Sequence, residues 1–111
     1  MSEKNIINYV NCPVTYCMSM IGGKWKTIII YLISIGVNRF GVMHRSIEGI
    51  SKHMLTTQLR ELEKDGILKR KIFAEIPPRV EYSITTKGET LSPIIISMKI
   101  WGEKNMVKSK Q

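Results

Sequence analysis

The apolar residues of this chain change their spacing at residue 66, and that change restricts the fold more than any other feature. Ahead of it, Leu55, Leu59 and Leu62 recur at i, i+4 and i+7, which sets them on one stripe of a helix. Beyond it, residues 67–74 alternate and carry Ile and Phe, the pattern of a strand. Ser51 can cap the helix, because its hydroxyl accepts from a free amide of the first turn. Gly66 can close it, because glycine enters the left-handed conformation without a Cβ penalty. Glu48-Gly49 supplies a tight turn ahead of Ser51, so residues 47–68 read as the second half of a helix-turn-helix. Val80, Tyr82 and Ile84 alternate again as a return strand. Ile76-Pro77-Pro78-Arg79 must be the turn between the strands, since prolines lack the amide a sheet interior requires. The expected fold is therefore α+β and mainly helical: a winged helix-turn-helix with a two-stranded β-hairpin wing.

The other elements rest on similar signals. Residues 1–11 are expected to form a flexible arm. Cys12-Pro13 opens a helix, with Val14, Cys17, Met18 and Ile21 at helical spacing and Gly22-Gly23 as its end. A second helix is expected over about 24–35, stopped by Gly36. Its main apolar side is Trp25, Ile28, Ile29, Leu32 and Ile35, with Ile30 and Tyr31 on the other. Residues 38–40 form a short extended link with Phe40 anchored in the core, and about 41–47 the first helix of the pair, with Val42, Met43 and Ile47 inward. Thr85 can cap a last helix over 86–106, where Leu91, Ile94, Ile95, Met98 and Trp101 make an apolar stripe. Pro93 should kink it or confine regular bonding to the residues after it. Residues 104–110 read as a frayed tail.

One domain spanning 1–111 accommodates all of this, with a modest core for 111 residues of 43% hydrophobic content. Met1 to Val10 is polar and mixed, so no signal peptide is expected. The apolar run 28–35 is too short to span a membrane. Two cysteines without an export signal argue for a reducing compartment, so the expected location is cytoplasmic.

The formal charge of +8 makes a polyanionic partner plausible. Within 39–79, however, nine bases meet five acids, so any basic patch must come from geometry. At about 100° per residue, His53, Thr57, Arg60 and Lys64 fall opposite the leucine stripe, with Thr56 beside them. With Ser51 and Lys52 at its start, this face suits the major groove of double-stranded DNA, where arginine pairs with guanine and threonine meets a thymine methyl. The plain alternative is a solvated surface helix. Lys69, Lys71 and Arg79 flank the rigid Pro-Pro tip as wing contacts to backbone or minor groove. Lys69 and Lys71 share a face; Arg70 points the other way, and an acid such as Glu81 is a candidate partner for it. An alternative function is a winged-helix protein-interaction module without specific DNA binding. No nucleophile-base pairing, metal cluster or phosphate loop suggests an enzyme, and no metal or cofactor is expected. With His44 and His53 the only histidines, a zinc site is not indicated.

Two features go beyond DNA contact. Cys12 sits at a helix start, where free amides and the dipole favour a thiolate; base rates alone favour an idle or packed cysteine. The apolar stripe of the last helix is most simply core, yet the N-terminal helices are also rich in surface-level apolar residues. Pairing the two terminal regions across a two-fold axis, through Val14, Tyr31, Leu91, Ile94, Ile95, Met98 and Trp101, would make a homodimer. Its recognition helices would then lie about 34 Å apart, one DNA turn, as a palindrome requires.

As a set these residues resemble the HxlR-type family of bacterial winged-helix transcriptional regulators, which are MarR-like. The resemblance rests on Cys12-Pro13, Ile21–Trp25 (IGGKW), Arg39–Gly41 (RFG), Gly49–Ser51 (GIS), Met54–Leu68 (MLTTQLRELEKDGIL), Pro77–Thr85 (PPRVEYSIT) and Trp101-Gly102. It implies a homodimeric DNA-binding repressor or activator that dimerises through its terminal helices. In several members the cysteine of the Cys-Pro block senses electrophiles or oxidants, which implies a small electrophile or oxidant as a further partner of Cys12. Val42-Met43 departs from the family pattern, which often has an acid followed by leucine. The additional Cys17 leaves an intramolecular pairing with Cys12 open.

Overall fold

A computed structural model describes residues 10–107 of the chain. The expected arm over 1–11 thus lies outside the described residues except for Val10 and Asn11, as do residues 108–110 of the expected tail. Among the described residues six helices and one hairpin succeed one another: α1 (Pro13–Ile21), α2 (Lys26–Ser34), α3 (Phe40–Ser46), α4 (Lys52–Lys64), β1 (Leu68–Phe73), β2 (Arg79–Ile84), α5 (Thr86–Glu89) and α6 (Ser92–Asn105). This is the α+β winged helix-turn-helix that the change of period at residue 66 demands.

Helix α4 forms for the reasons legible in its sequence. Ser51 Oγ accepts from the Met54 amide at 3.0 Å, and Gly66 closes the far end with φ at +77°. Leu55, Leu59 and Leu62 are fully buried among Met43, Ile47, Ile50 and Ile67. Each such leucine contributes about 1.5–3 kcal/mol of transfer free energy. In α3 the inward stripe is Met43 and Ile47 with Phe40 half-buried, whereas Val42, expected inward, is exposed. It lies one residue, or about 100°, off that stripe.

Helix α2 is central, meeting α4, β2 and α6. It turns Ile29, Ile30 and Ile33 inward and leaves Ile28 and Ile35 exposed, correcting the expected main side. Because α2 is apolar nearly all round, its periodicity cannot choose a face; its neighbours choose.

The hairpin is antiparallel, with Leu68 opposite Ile84 and Phe73 opposite Arg79. Leu68, Ile72, Val80, Tyr82 and Ile84 share one face, and of these Leu68 and Tyr82 are buried. The Tyr82 amide donates to Asn38 O at 3.0 Å, so the extended link before α3 is tied to β2.

The expected single helix over 86–106 is instead two. Thr85 Oγ1 accepts from the Gly88 amide at 2.9 Å and donates to Gly66 O, which fixes the short α5 against the end of α4. Gly88 is buried there, and a Cβ on it would lie 2.7 Å from Ile84 Cγ2. Pro93 then stands in the first turn of α6, where a missing amide costs nothing. Helical bonding is thus not confined to the residues after the proline, as α5 is already helical ahead of it.

Candidate nucleic-acid interface

The surface of α4 away from the leucines is presented by its own cap and stop. Ser51, Lys52, His53, Arg60 and Lys64 are exposed, while Thr56 and Thr57 are half-buried. Thr56 Oγ1 donates to Lys52 O at 2.9 Å and Thr57 Oγ1 to His53 O at 3.0 Å. Their hydroxyl protons serve the helix, leaving lone pairs and methyl groups for a base edge.

Two carboxylates interrupt α4, and both are drawn aside. Lys26 of α2, nearly buried, reaches Glu61 Oε1 at 2.7 Å. Arg70 of β1 lies 3.8 Å from Glu63 Oε1. Arg70 therefore pairs with α4 and not with Glu81, the partner expected from sequence. The exposed Arg70–Glu63 pair is worth about 0–1 kcal/mol, and the larger effect of both pairs is on where charge is placed. Burial, then the Glu63 charge, pushes the Tyr82 phenol above its ordinary value, so the hydroxyl beside Arg70 stays protonated.

On the wing, Lys69, Lys71, Phe73, Arg79 and Glu81 share the outer face. Lys69 and Lys71 are exposed, and Lys71 Nζ lies 4.9 Å from the Phe73 ring centroid. Arg79 is engaged within the protein. Its Cζ stacks 3.9 Å from the Phe73 centroid and its Nη2 is 3.2 Å from Glu75 Oε2. Its Nε, 3.3 Å from Glu81 Oε2, is buried and off the line of a hydrogen bond. Glu81 Oε2 also accepts from Arg39 Nη2 at 3.4 Å.

Cys12 occupies the N-cap of α1 and is partly exposed. The Thr15 amide, then the Thr15 hydroxyl, holds its thiol below the ordinary value. Cys17 packs against the core, and both cysteines are free. Five residues of helix separate the two by a rise of about 7.5 Å, beyond the roughly 7 Å Cα limit of a disulfide. An intramolecular bond would require α1 to unwind.

The expected pairing residues divide. Val14, Ile94, Met98 and Trp101 are exposed, Tyr31 and Leu91 half-buried, and Ile95 buried within its own chain. Ile95 is therefore core. Ile28, Ile96 and Ile100 are also exposed and extend that surface beyond the residues expected in it. A groove between α2 and α6, lined by Ile28, Tyr31, Ile95 and Met98, continues it. The spacing of Ile96 and Ile100 is itself a helical signal; the Lys26–Glu61 and Arg39–Glu81 pairs, 35 and 42 residues apart, leave none in the sequence.

Among the described residues no helix is long and apolar enough to cross a membrane, and no group of three or more His, Cys, Asp or Glu could hold a metal. The family model described as HxlR-like helix-turn-helix matches residues 20–110. The uncharacterized HTH-type transcriptional regulator YybR of Bacillus subtilis is 50% identical over 107 residues, covering 95% of this chain and 86% of its own. Among solved structures, the redox regulator HypR in its oxidized form is similar with a TM-score of 0.83 and 48% identity, covering 87% of this chain and 100% of its own. HypR in its reduced form gives 0.80 at 48% identity, covering 85% and 93%.

Proposed function

The chain belongs to the HxlR-like helix-turn-helix family of DNA-binding transcriptional regulators, and from that premise we propose that two copies pair through α1 and α6 on a palindromic operator. Each α4 enters the major groove with Ser51, Lys52, His53, Thr56, Thr57, Arg60 and Lys64, and each wing brings Lys69 and Lys71 to the backbone. Arg79, on the same outer face, is committed to Glu75, Glu81 and Phe73 and shapes the wing. The observation that carries this reading is the outer face of α4: four exposed basic or imidazole side chains, with Glu61 and Glu63 held by Lys26 and Arg70. A gel-shift titration on the chain's own promoter region against random duplex tests it. The promoter fragment should bind tighter, and affinity should fall steeply with salt as condensed counterions are released. Equal binding to both duplexes would end the specific reading.

Redox or electrophile response through Cys12 is the second part of the proposal. It is supported by the lowered pKa of the Cys12 thiol at the α1 N-cap and by similarity to a protein solved as a redox regulator in two states. The thiolate is the reactive form. A depressed pKa keeps it populated to lower pH than a free thiol; that population, and any stability linked to it, is lost as pH falls through the folded value. Iodoacetamide should therefore modify Cys12 ahead of Cys17 at neutral pH and slow on acidification. A quinone should change DNA affinity in the wild type and leave Cys12→Ser unaffected. An equal response in that variant would remove Cys12 from the mechanism.

A further inference from the structure

The wing is only two strands, and a two-stranded hairpin has little stability of its own, so its angle to α4 must be set by what it leans on. On the α4 side that support is Arg70 against Glu63. On the opposite side an open cleft lies between the start of α3 (Arg39, Phe40, Gly41) and the wing loop 75–80. Two ties cross beside it: the backbone bond from the Tyr82 amide to Asn38 O, and the Glu81 carboxylate.

Glu81 is placed unusually for a strand acid. Its cross-strand neighbour is Lys71, the ordinary partner for a salt bridge. Lys71 instead sits over Phe73, and a single oxygen of Glu81 serves two guanidinium groups from different elements. Arg39 Nη2 approaches at 3.4 Å from the N-cap of α3, and Arg79 Nε at 3.3 Å from the loop end of the wing, where β2 begins. Arg79 passes the connection on to Glu75 at 3.2 Å and to the face of Phe73. Without the carboxylate, two like charges would face each other across the cleft.

We propose that Glu81 is a positioning residue for DNA binding: by bridging Arg39 at the start of α3 to Arg79 in the wing, it fixes the angle at which Lys69 and Lys71 stand relative to α4. This rests on the reading that α4 and the wing meet DNA together. It makes a prediction whose sign opposes simple electrostatics. Removing an acid from a surface that faces a polyanion should tighten binding, whereas loss of the bridge lets the wing swing and weakens it.

The test compares Glu81→Gln with Glu48→Gln, which makes the same charge change at the exposed turn ahead of α4, in the full-length protein. Glu81→Gln should weaken promoter binding by roughly threefold to fivefold, the upper part of the range of a partly exposed ion pair, while Glu48→Gln holds or tightens it. In the free protein, Glu81→Gln should speed exchange of the Tyr82 amide hydrogen, read by NMR. Adding Arg39→Ala to Glu81→Gln should cost nothing further, because both act through one bridge. Unchanged or tighter DNA binding by Glu81→Gln overturns the proposal, whatever the amide does; so does an unchanged Tyr82 amide. A wild type that binds promoter and random duplex alike overturns the specific-operator reading instead, and the Glu81 comparison on either duplex still decides the bridge. A wild type that binds neither overturns both.

Discussion

Helices α4 and α6 are nearly equal in length, 13 and 14 residues, and use their apolar side chains in opposite ways. Helix α4 buries all three of its leucines within its own chain and shows solvent a polar face. Helix α6 carries Ile94, Ile95, Ile96, Met98, Ile100 and Trp101 and buries only Ile95. One is finished as a monomer; the other holds more apolar surface than its chain covers. A contiguous exposed patch of this kind marks an interaction surface, and in the proposed dimer α6 finds its core in the second copy. The largest effect should come from breaking that contrast. Ile94→Glu with Met98→Glu gives α6 a charged face while leaving Ile95 in place. Sedimentation should show a folded monomer, and apparent operator affinity should fall by about 10²- to 10⁴-fold as the second recognition helix is lost. A double variant that remains dimeric would place the interface elsewhere and erase the difference between the helices.

The polar face of α4 can be tested at finer grain. Arg60 and Lys64 lie one turn apart and are both exposed, yet they are assigned different work. Arg60→Ala should cost about 1–3 kcal/mol and relax preference at one base position, whereas Lys64→Ala should weaken all sequences evenly and lower the salt slope by about one. Binding to a set of operators with single base changes, at two salt concentrations, separates them. If both variants behave like Lys64→Ala, the α4 face reads charge rather than sequence.

How much of this is legible in the sequence differs in the same way between the two helices. For α4, cap, stripe and stop are local, so Ser51, Leu55 to Leu62 and Gly66 can be read from spacing alone. The wing can be read too, because alternation and Pro77-Pro78 are local signals. Spacing does not supply anything fixed by a distant partner. Closeness on the hairpin assigns Arg70 to Glu81, yet residues 70 and 81 fall on opposite faces of it. Arg79 reads as a free wing cation until Glu75 and Glu81 are seen around it. Helix α2 shows the limit most plainly: with apolar residues on every side, its sequence is compatible with several buried faces, and only packing against α4, β2 and α6 selects Ile29, Ile30 and Ile33. Ile95 falls in with the pairing surface for the same reason, since periodicity says that a residue is apolar and not which chain covers it.

The N-terminus of α4 is where the separation between folding face and binding face is thinnest. Ser51 Oγ caps the helix through the Met54 amide at 3.0 Å, and the same turn is proposed to stand near phosphate. Ser51→Ala should cost about 1 kcal/mol of stability, measured by urea unfolding, because the Met54 amide loses its acceptor. Ser51→Asp separates the two roles. Aspartate caps as well as serine and its charge suits the helix dipole, so stability should hold. The same charge repels phosphate at a position where the free amides would attract it, so DNA affinity should drop. An aspartate variant that is stable and still binds like the wild type would show that the cap only folds the helix, and that contact with DNA begins further along α4, at His53.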